Sequence, residues 1–306
     1  MKKISNDFLT VCIEDHGAEL SSIKANGREY LWQAHPKYWK RHSPVLFPIV
    51  GSVWNGEYRS GGKTFKLGQH GFALDMDFKL VSCTENEAYY TLESSAETFE
   101  KYPYPFKLTI GYKLHENTID VIWKVENPGE KQIFFQIGAH PAFHWPLLSN
   151  NAIENGVEAM DEALKDNTER GFFAFEPKVE RLKCTVITEG GCVDKSIEKY
   201  VELNEGFLPL TTETFAKDAL VLENGQTQKV TLCDQQKKPY LTVKFDSPLV
   251  GLWSPPSKNA PFVCIEPWYG RADKAHYDGT YEQKDWIQAL QSGETFESVY
   301  QIIIEQ

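Results

Sequence analysis

The sequence has no long apolar run and no long basic run, and these absences exclude several functions. The 306 residues carry a net charge of −11, and no Lys/Arg run is longer than a pair. Proteins that bind DNA or RNA usually present a basic surface to the phosphates. No stretch approaches the roughly 20 apolar residues that a membrane helix needs, and no secretory signal follows the basic start. We therefore expect a cytoplasmic protein without a nucleic-acid or membrane partner.

Cysteine pairs and phosphate-binding loops are also missing. The six cysteines contain no CxxC pair, so free, buried thiols are expected in a chain without a secretory signal. The sequence shows no Gly-rich phosphate-binding loop and no alternation of predicted strands and helices, which argues against a Rossmann or P-loop nucleotide site. No HExxH motif or Cys/His cluster indicates a metal.

Period-two alternation of apolar and polar residues dominates the chain. Residues 72–80 alternate and predict a half-buried strand. Two alternating runs, 108–114 and 119–125, flank a short polar loop and predict a hairpin. Further strands are predicted at 88–92, 132–137, 228–233, 240–245 and 298–304, and short helices at 161–169 and 281–290. This pattern predicts an all-β fold, a large antiparallel sandwich that forms one domain over residues 1–306.

Four polar residues stand beside apolar, strand-like segments: His70, His140, Asp218 and Glu266. Burial of such a side chain costs free energy unless the group is paired or used. Taken singly, each is more often a hydrogen-bonded structural residue. Pro141 and Pro267 end ladder pairing, so we expect His140 and Glu266 to project from strand ends onto one face of the sandwich.

Six segments share a characteristic order. They are residues 41–51 (RHSPVLFPIVG), 69–73 (QHGFA), 138–143 (GAHPAF), 251–253 (GLW), 264–270 (CIEPWYG) and 290–294 (LQSGE). In this order they resemble the aldose 1-epimerase (galactose mutarotase) superfamily, and most closely its LacX-like branch. The resemblance covers nearly the whole chain, and the number of ordered matches makes a chance agreement improbable.

The resemblance implies a galactose mutarotase-like β-sandwich with an open sugar cleft and no cofactor. Its substrate would be a small sugar, an aldohexose such as glucose or galactose. Glu266 matches the family's general base and His140 its general acid. His70 matches a histidine that binds the sugar and helps to polarise the ring oxygen, and Asp218 matches an aspartate that binds sugar hydroxyls.

These roles fit the chemistry of mutarotation. Glu266, as a carboxylate, would take the proton of the anomeric hydroxyl while imidazolium His140 protonates the ring oxygen from the other side. The ring opens to the aldehyde, the C1–C2 bond rotates, and the ring closes on the other face. Near neutral pH we therefore expect an ionised Glu266 and a His140 that carries a proton. Trp268, Trp253 and Phe72 are candidates to stack on the apolar face of the sugar.

One position departs from the family pattern. Members of the LacX-like branch often carry Arg after the glycine of the FPIVG segment, where it holds sugar hydroxyls, and this chain has Ser52. Arg41 or Arg271 is the candidate to replace it. This departure leaves the sugar specificity open.

Other functions remain possible at this stage. A glycoside hydrolase can use two carboxylates, here Asp218 and Glu266. A metal-dependent isomerase would need His140 and His144 together, yet four residues along a strand separate them by about 13 Å. A non-catalytic sugar-binding protein could use the same cleft. A hexose-6-phosphate epimerase would use the cations Lys40, Arg41 and Arg271. The sequence also leaves open whether the chain is a monomer or a homodimer.

Overall fold

The computed structural model describes residues 1–165 and 169–305, and strands dominate it. The strands are β1 Lys2–Ser5, β2 Leu9–Ile13, β3 Leu20–Ala25, β4 Arg28–Glu29, β5 Val45–Leu46, β6 Glu57–Ser60, β7 Lys63–Lys66, β8 Lys79–Cys83, β9 Glu87–Glu93, β10 Lys107–His115, β11 Thr118–Glu126, β12 Ile133–Phe135, β13 Ile137–Ala139, β14 Ala142–His144, β15 Glu169–Glu176, β16 Arg181–Ile187, β17 Val193–Glu202, β18 Phe207–Thr211, β19 Leu220–Leu222, β20 Lys229–Cys233, β21 Pro239–Phe245, β22 Leu249–Trp253, β23 Phe262–Tyr269, β24 Gln288–Leu290 and β25 Thr295–Ile304. The α-helices are α1 Ala96–Lys101, α2 Asn150–Glu154 and α3 Val157–Leu164, and single 3₁₀ turns lie at Trp54–Gly56, Ala73–Asp75, Glu189–Gly191 and Tyr281–Gln283.

Two large antiparallel sheets form most of the fold, beside a four-stranded sheet β1-β2-β3-β4 and the two-stranded pairs β12-β24 and β6-β7. The nine-stranded sheet has the order β18-β15-β20-β21-β25-β11-β10-β9-β8. The eight-stranded sheet has the order β17-β16-β19-β22-β23-β13-β5, with β14 also paired to β23. One apolar core contains residues from both sheets, such as Trp123 and Ile302 from the first and Leu252 and Ile265 from the second. The predicted antiparallel β-sandwich is confirmed.

Alternation along β23 divides its side chains between the two faces of the eight-stranded sheet. Val263 and Ile265 belong to the core between the sheets. Phe262 and Cys264 belong to a second apolar cluster, and Trp268 to a third. Because successive side chains of a strand point to opposite faces, Glu266 shares the outer face with these three residues. That face carries the candidate site.

The hairpin and the further predicted strands are confirmed. Strands β10 and β11 pair from Lys107↔Glu126 to His115↔Thr118, with Glu116 in the left-handed region of the turn (φ +50°). Predicted strands 88–92, 132–137, 228–233, 240–245 and 298–304 correspond to β9, to β12 with the start of β13, and to β20, β21 and β25. Strands β10 and β11, like β20 and β21, are neighbours in sequence and pair across a short turn, so their local patterns were sufficient to predict them.

Three local predictions were wrong wholly or in part. Residues 72–80 do not form one strand, because the Phe47 carbonyl accepts the N–H groups of both Phe72 and Ala73 and a 3₁₀ turn follows. The helix predicted at 281–290 is a single 3₁₀ turn, which ends where buried Lys284 pairs with Asp273. The helix predicted at 161–169 occupies 157–164 instead. Residues 166–168 lie outside the described residues.

The cysteines are free, as predicted, although burial is not uniform. Four thiols are buried, Cys12 is half-buried and Cys83 is exposed. In the described part of the chain, no helix has the length and apolar character needed to cross a membrane.

Candidate active site

A break in strand pairing places His140 beside Glu266. Strand β13 pairs with β23 at Trp268 and Tyr269, and β14 pairs with it at 262–264. Between these two ladders, His140 turns away and donates its backbone N–H to the carbonyl of Pro44 (3.1 Å). Glu266 therefore does not end a strand as predicted, but lies within β23. Pro267 lies opposite this gap and pairs with Val250 of β22 on the other side, so no strand on the gap side requires its missing N–H.

His140 and Glu266 form a buried contact. The Nε2 atom of His140 lies 3.4 Å from Oε2 of Glu266, and the two side chains are 9% and 2% exposed. Burial raises the pKa of Glu266 well above its ordinary value, and the charge of Asp218 raises it further. The indole of Trp268 opposes this shift only partly, since its N–H forms no hydrogen bond of normal geometry with a described residue.

The same burial acts on the histidine in the opposite direction. It lowers the pKa of His140 well below the ordinary value, and nearby His70 lowers it further. Burial therefore favours a neutral imidazole beside a protonated carboxyl. This differs from the ionised Glu266 and protonated His140 that the sequence led us to expect, because desolvation penalises both charges.

His70 is fixed by its backbone as well as by its ring. It has φ +66°, and its Nδ1 atom accepts the N–H of Gly51 (3.1 Å) while its own N–H donates to the Gly51 carbonyl (2.8 Å). Burial, aided by the charge of Arg41, lowers the pKa of His70 to about 4. A neutral ring that accepts at Nδ1 carries its proton on Nε2. His70 lies edge-on to His140, with ring centroids 5.5 Å apart.

Trp268 lies against two glycines that make room for its ring. A Cβ atom at Gly251 would lie 2.4 Å from the indole, and one at Gly138 would lie 2.6 Å from it. Gly138 pairs with Trp268 across β13 and β23. These two glycines belong to the GAHPAF and GLW segments, so their presence in the motifs has a steric reason.

Two further tryptophans surround His140. The ring of Trp39 is tilted by 32° over the imidazole, with 4.7 Å between centroids. Trp253 approaches the imidazole edge-on at 5.3 Å. The sequence pattern gave no signal for Trp39, which lies in the loop between β4 and β5 and not on a strand.

The cationic side chains at the site are already paired. Arg41 donates to the carbonyl of Leu74 (3.1 Å) and to Asp75 (2.6 Å). Arg271 is buried and donates to Glu223 (3.0 Å), to Asp285 and to the Ala272 carbonyl (2.7 Å). Both arginines nevertheless line the same cavity.

One cavity of about 620 Å³ brings the predicted residues together. All six candidates line it: Glu266, His140, His70, Asp218, Arg41 and Trp268. Its volume lies within the range of 300–1,000 Å³ that is typical of small-molecule sites. Asp218 has φ +89° and lies two residues before β19, with its carboxylate accepting the N–H of Ala219 (2.7 Å).

The predicted alternative that joins His140 to His144 is not supported. His144 packs against Trp32 and does not line the cavity. His140, Glu266 and Cys264 instead place one potential metal-ligand atom each within 4.8 Å of one another. Among residues 1–165 and 169–305, no other group of three such side chains lies this close together. Burial holds the pKa of the Cys264 thiol well above its ordinary value. The sequence patterns did not single out Cys264.

Comparison with known proteins agrees with this arrangement. The chain matches the protein family described as aldose 1-epimerase over residues 2–302. Protein LacX of Lactococcus lactis subsp. lactis is 31% identical over 310 residues, which covers 99% of this chain and 98% of LacX. The crystal structure of a galactose mutarotase related enzyme from Lactobacillus acidophilus superposes with a TM-score of 0.88 at 33% identity, covering 100% of this chain and 97% of the other. A galactose mutarotase-like protein from Lactobacillus casei has a TM-score of 0.86 at 27% identity, with 100% of both chains covered.

The fold is thus that of a galactose mutarotase-like β-sandwich. The chain belongs to the aldose 1-epimerase family, as its sequence segments indicated. Membership supports a general epimerase role and a sugar substrate.

Proposed function

We propose that the protein interconverts the α and β anomers of a free aldohexose, such as glucose or galactose, without a cofactor. The contact between His140 and Glu266 carries this proposal. The two oxygens that exchange protons during mutarotation, O1 and the ring oxygen, are both bonded to C1. An acid and a base that serve them must therefore lie close together, and the 3.4 Å contact meets this requirement. The two groups act from one side of the sugar and not from opposite sides.

The buried polar atoms of this pair also point to a polar ligand. Nδ1 of His140 and Oε2 of Glu266 are buried, and neither has a hydrogen-bond partner among the described residues. Buried polar atoms in folded proteins are nearly always hydrogen-bonded. Hydroxyl groups of a bound sugar would supply the missing partners.

A single proton on the pair is sufficient for the reaction. A neutral pair and an imidazolium–carboxylate pair hold the same number of protons and differ only in where one proton resides. In the proposed cycle, sugar hydroxyls stabilise the ionic form. Carboxylate Glu266 takes the proton from O1 while His140 gives one to the ring oxygen, and closure on the other face of the aldehyde reverses both transfers. Each such transfer contributes roughly 10²- to 10⁴-fold to the rate.

The other cavity residues would hold the sugar. His70 would donate its Nε2 proton to a sugar oxygen, because its Nδ1 atom already accepts from Gly51. Asp218 would accept from sugar hydroxyls, and Arg41 would supply a donor near His70 in place of the family arginine. Trp268, held against Gly138 and Gly251, would offer an aromatic face to the sugar.

A neutral sugar fits the charges better than a phosphorylated one. The cations that line the cavity, in the part of the chain that the structure describes, are Arg41, Lys258 and Arg271. Arg271 is paired with two carboxylates, Arg41 with one, and Lys258 donates to a backbone carbonyl. A phosphate clamp needs unpaired guanidinium donors in a bidentate arrangement.

Polarimetry of freshly dissolved sugars tests the proposal. The protein is expected to accelerate the relaxation of α-glucose or α-galactose and to act less on glucose 6-phosphate. Saturable sugar binding without any acceleration would favour a non-catalytic sugar-binding protein. Release of the aryl group from an aryl glycoside would favour a hydrolase that uses Asp218 and Glu266.

A further inference from the structure

Trp39 closes the outer side of the cavity over His140. The centroid of its indole lies 4.7 Å from that of the imidazole, 5.8 Å from that of Trp253 and 5.9 Å from that of Phe262. Trp39 belongs to no strand or helix. The position of its ring therefore depends on how the surrounding loop is held.

A carboxylate on a distant helix holds this loop. Asp161 of α3 accepts a hydrogen bond from the hydroxyl of Tyr38 and forms an ion pair with Lys37 through its other oxygen. The ring of Tyr38 is buried, and it packs in one apolar cluster with Met160 of α3. Asp161 thus fixes both residues that precede Trp39.

Two backbone contacts complete the attachment of the loop. The indole N–H of Trp32 donates to the carbonyl of Trp39 (2.9 Å). The ammonium group of Lys258 donates to the carbonyl of Tyr38 (3.1 Å). These two bonds fix the main chain, whereas Asp161 provides the polar contacts that join the loop to α3.

We infer that Asp161 is a positioning residue for His140 and acts through Tyr38 and Trp39. By anchoring the loop, it keeps the indole of Trp39 over the imidazole and keeps water away from it. The catalytic consequence of this inference rests on the proposed function, in which His140 transfers a proton. The titratable groups that face His140 are Glu266, His70 and Cys264, and all three lie outside the loop and α3.

Loss of the anchor has two measurable effects. Burial is the main cause of the low pKa of His140, so water that enters beside a displaced Trp39 raises that pKa towards 6.5. Displacement of a proton-transfer group also lowers the rate, and a shift of about 1 Å can cost on the order of 10²-fold. We expect kcat to fall roughly 10- to 100-fold in variants that lose the anchor.

The test compares Tyr38→Phe, Asp161→Ala, Asp161→Asn and Glu158→Ala. Tyr38→Phe removes only the hydroxyl and keeps the buried ring, so the core of the fold is retained. Asp161→Asn keeps an acceptor for that hydroxyl and serves as the conservative rescue. Glu158 lies exposed on the same helix and provides the matched control. Nitrogen-15 NMR titration of His140 and the separate values of kcat and KM are measured for each.

We expect the pKa of His140 to rise in Tyr38→Phe and Asp161→Ala, with kcat reduced. Glu158→Ala should match the wild type, and Asp161→Asn should lie close to it. If the pKa of His140 in Tyr38→Phe and in Asp161→Ala equals that of the wild type, the inference is overturned, whatever happens to the rate. If the wild type shows no epimerase activity but the pKa rises as described, the proposed function fails while the positioning role of Asp161 stands.

Discussion

Nε2 of His140 lies 3.4 Å from Oε2 of Glu266 on the outer face of the eight-stranded sheet. The contact exists because β13 and β14 pair with different parts of β23 and leave a gap at His140. Both groups are buried there, and burial drives their pKa values apart in the directions that favour neutral forms. The pair therefore binds one proton over a wide pH range.

The pH dependence of kcat/KM should be bell-shaped. At low pH His140 takes up a proton, the pair then holds two protons, and no group is left to act as the base. Because the pKa of His140 is lowered, the rate falls on this side only below pH 6.5. At high pH Glu266 loses the one proton that the pair holds, and no group is left to act as the acid. Because the pKa of Glu266 is raised, the rate falls on this side well above pH 4.5. kcat/KM reports the free enzyme, and rates between pH 3 and 10 give both limbs. A flat profile would exclude this proton-sharing pair.

Gly251→Ala should impair the site without breaking the fold. A methyl group at this position would lie 2.4 Å from the ring of Trp268, so the indole must move. We expect weaker sugar binding, seen as a higher KM, and a change in tryptophan fluorescence. Gly68→Ala is the control, because a Cβ atom there meets nothing within 4 Å and its φ is not positive. Equal KM values for the two variants would argue against a role of Trp268 in the sugar site.

His70→Asn should lower kcat/KM by removing one donor to the sugar. Asn tolerates the left-handed backbone of this position, but its shorter side chain does not reach as far as Nε2. Loss of one hydrogen bond costs about 0.5–1.5 kcal/mol, which corresponds to roughly 2- to 12-fold. His276→Asn is a matched control, since His276 is exposed and also has positive φ (+60°). The expectation fails if both variants keep the wild-type kcat/KM.

Acid should destabilise the fold through two histidines whose pKa is lowered, buried His144 and partly buried His70. Burial lowers the pKa of His144 to about 4, partly opposed by the Pro261 carbonyl, and lowers that of His70 to about 4. Below pH 6.5 the unfolded chain binds these protons and the folded chain does not. The contribution of these two neutral histidines to the free energy of unfolding is therefore fully present above pH 6.5 and is lost as the pH falls towards 4.

The His144→Leu variant isolates one of these protons. The slope of unfolding free energy against pH, measured by urea denaturation between pH 4 and 6.5, should decrease by up to one proton, or about 1.4 kcal/mol per pH unit. His276→Gln changes an exposed ring and should leave the slope as it is. An unchanged slope in His144→Leu would show that His144 takes up its proton equally in the folded state.

Local features of the fold could be predicted from the sequence, and so could six of the residues that line the candidate site. Hairpin β10–β11 and strand β25 could be predicted because apolar and polar residues alternate along them, as in a half-buried strand. His70, His140 and Glu266 were found because each lies in a motif beside an apolar segment. The glycines that admit Trp268 belong to the same motifs.

What the sequence could not supply depends on contacts between distant residues. Trp39 lies over His140 in a loop that contacts Trp32 and, through Tyr38, Asp161, and no periodic pattern records such contacts. The neutral state of the His140–Glu266 pair depends on the depth of burial. The break opposite Pro267, which places Glu266 within a strand, depends on the register of three strands.

The most direct test of the account is the rate of anomer exchange in the wild type, Glu266→Gln and His140→Asn, followed by polarimetry on α-glucose and α-galactose. Glu162→Gln, an exposed carboxylate on α3, is the control. We expect the wild type and the control to accelerate the exchange, and each site variant to lose roughly 10²- to 10⁴-fold of the rate with the fold retained. Site variants that accelerate exchange as well as the wild type would contradict the assignment of His140 and Glu266 as the proton-transfer pair.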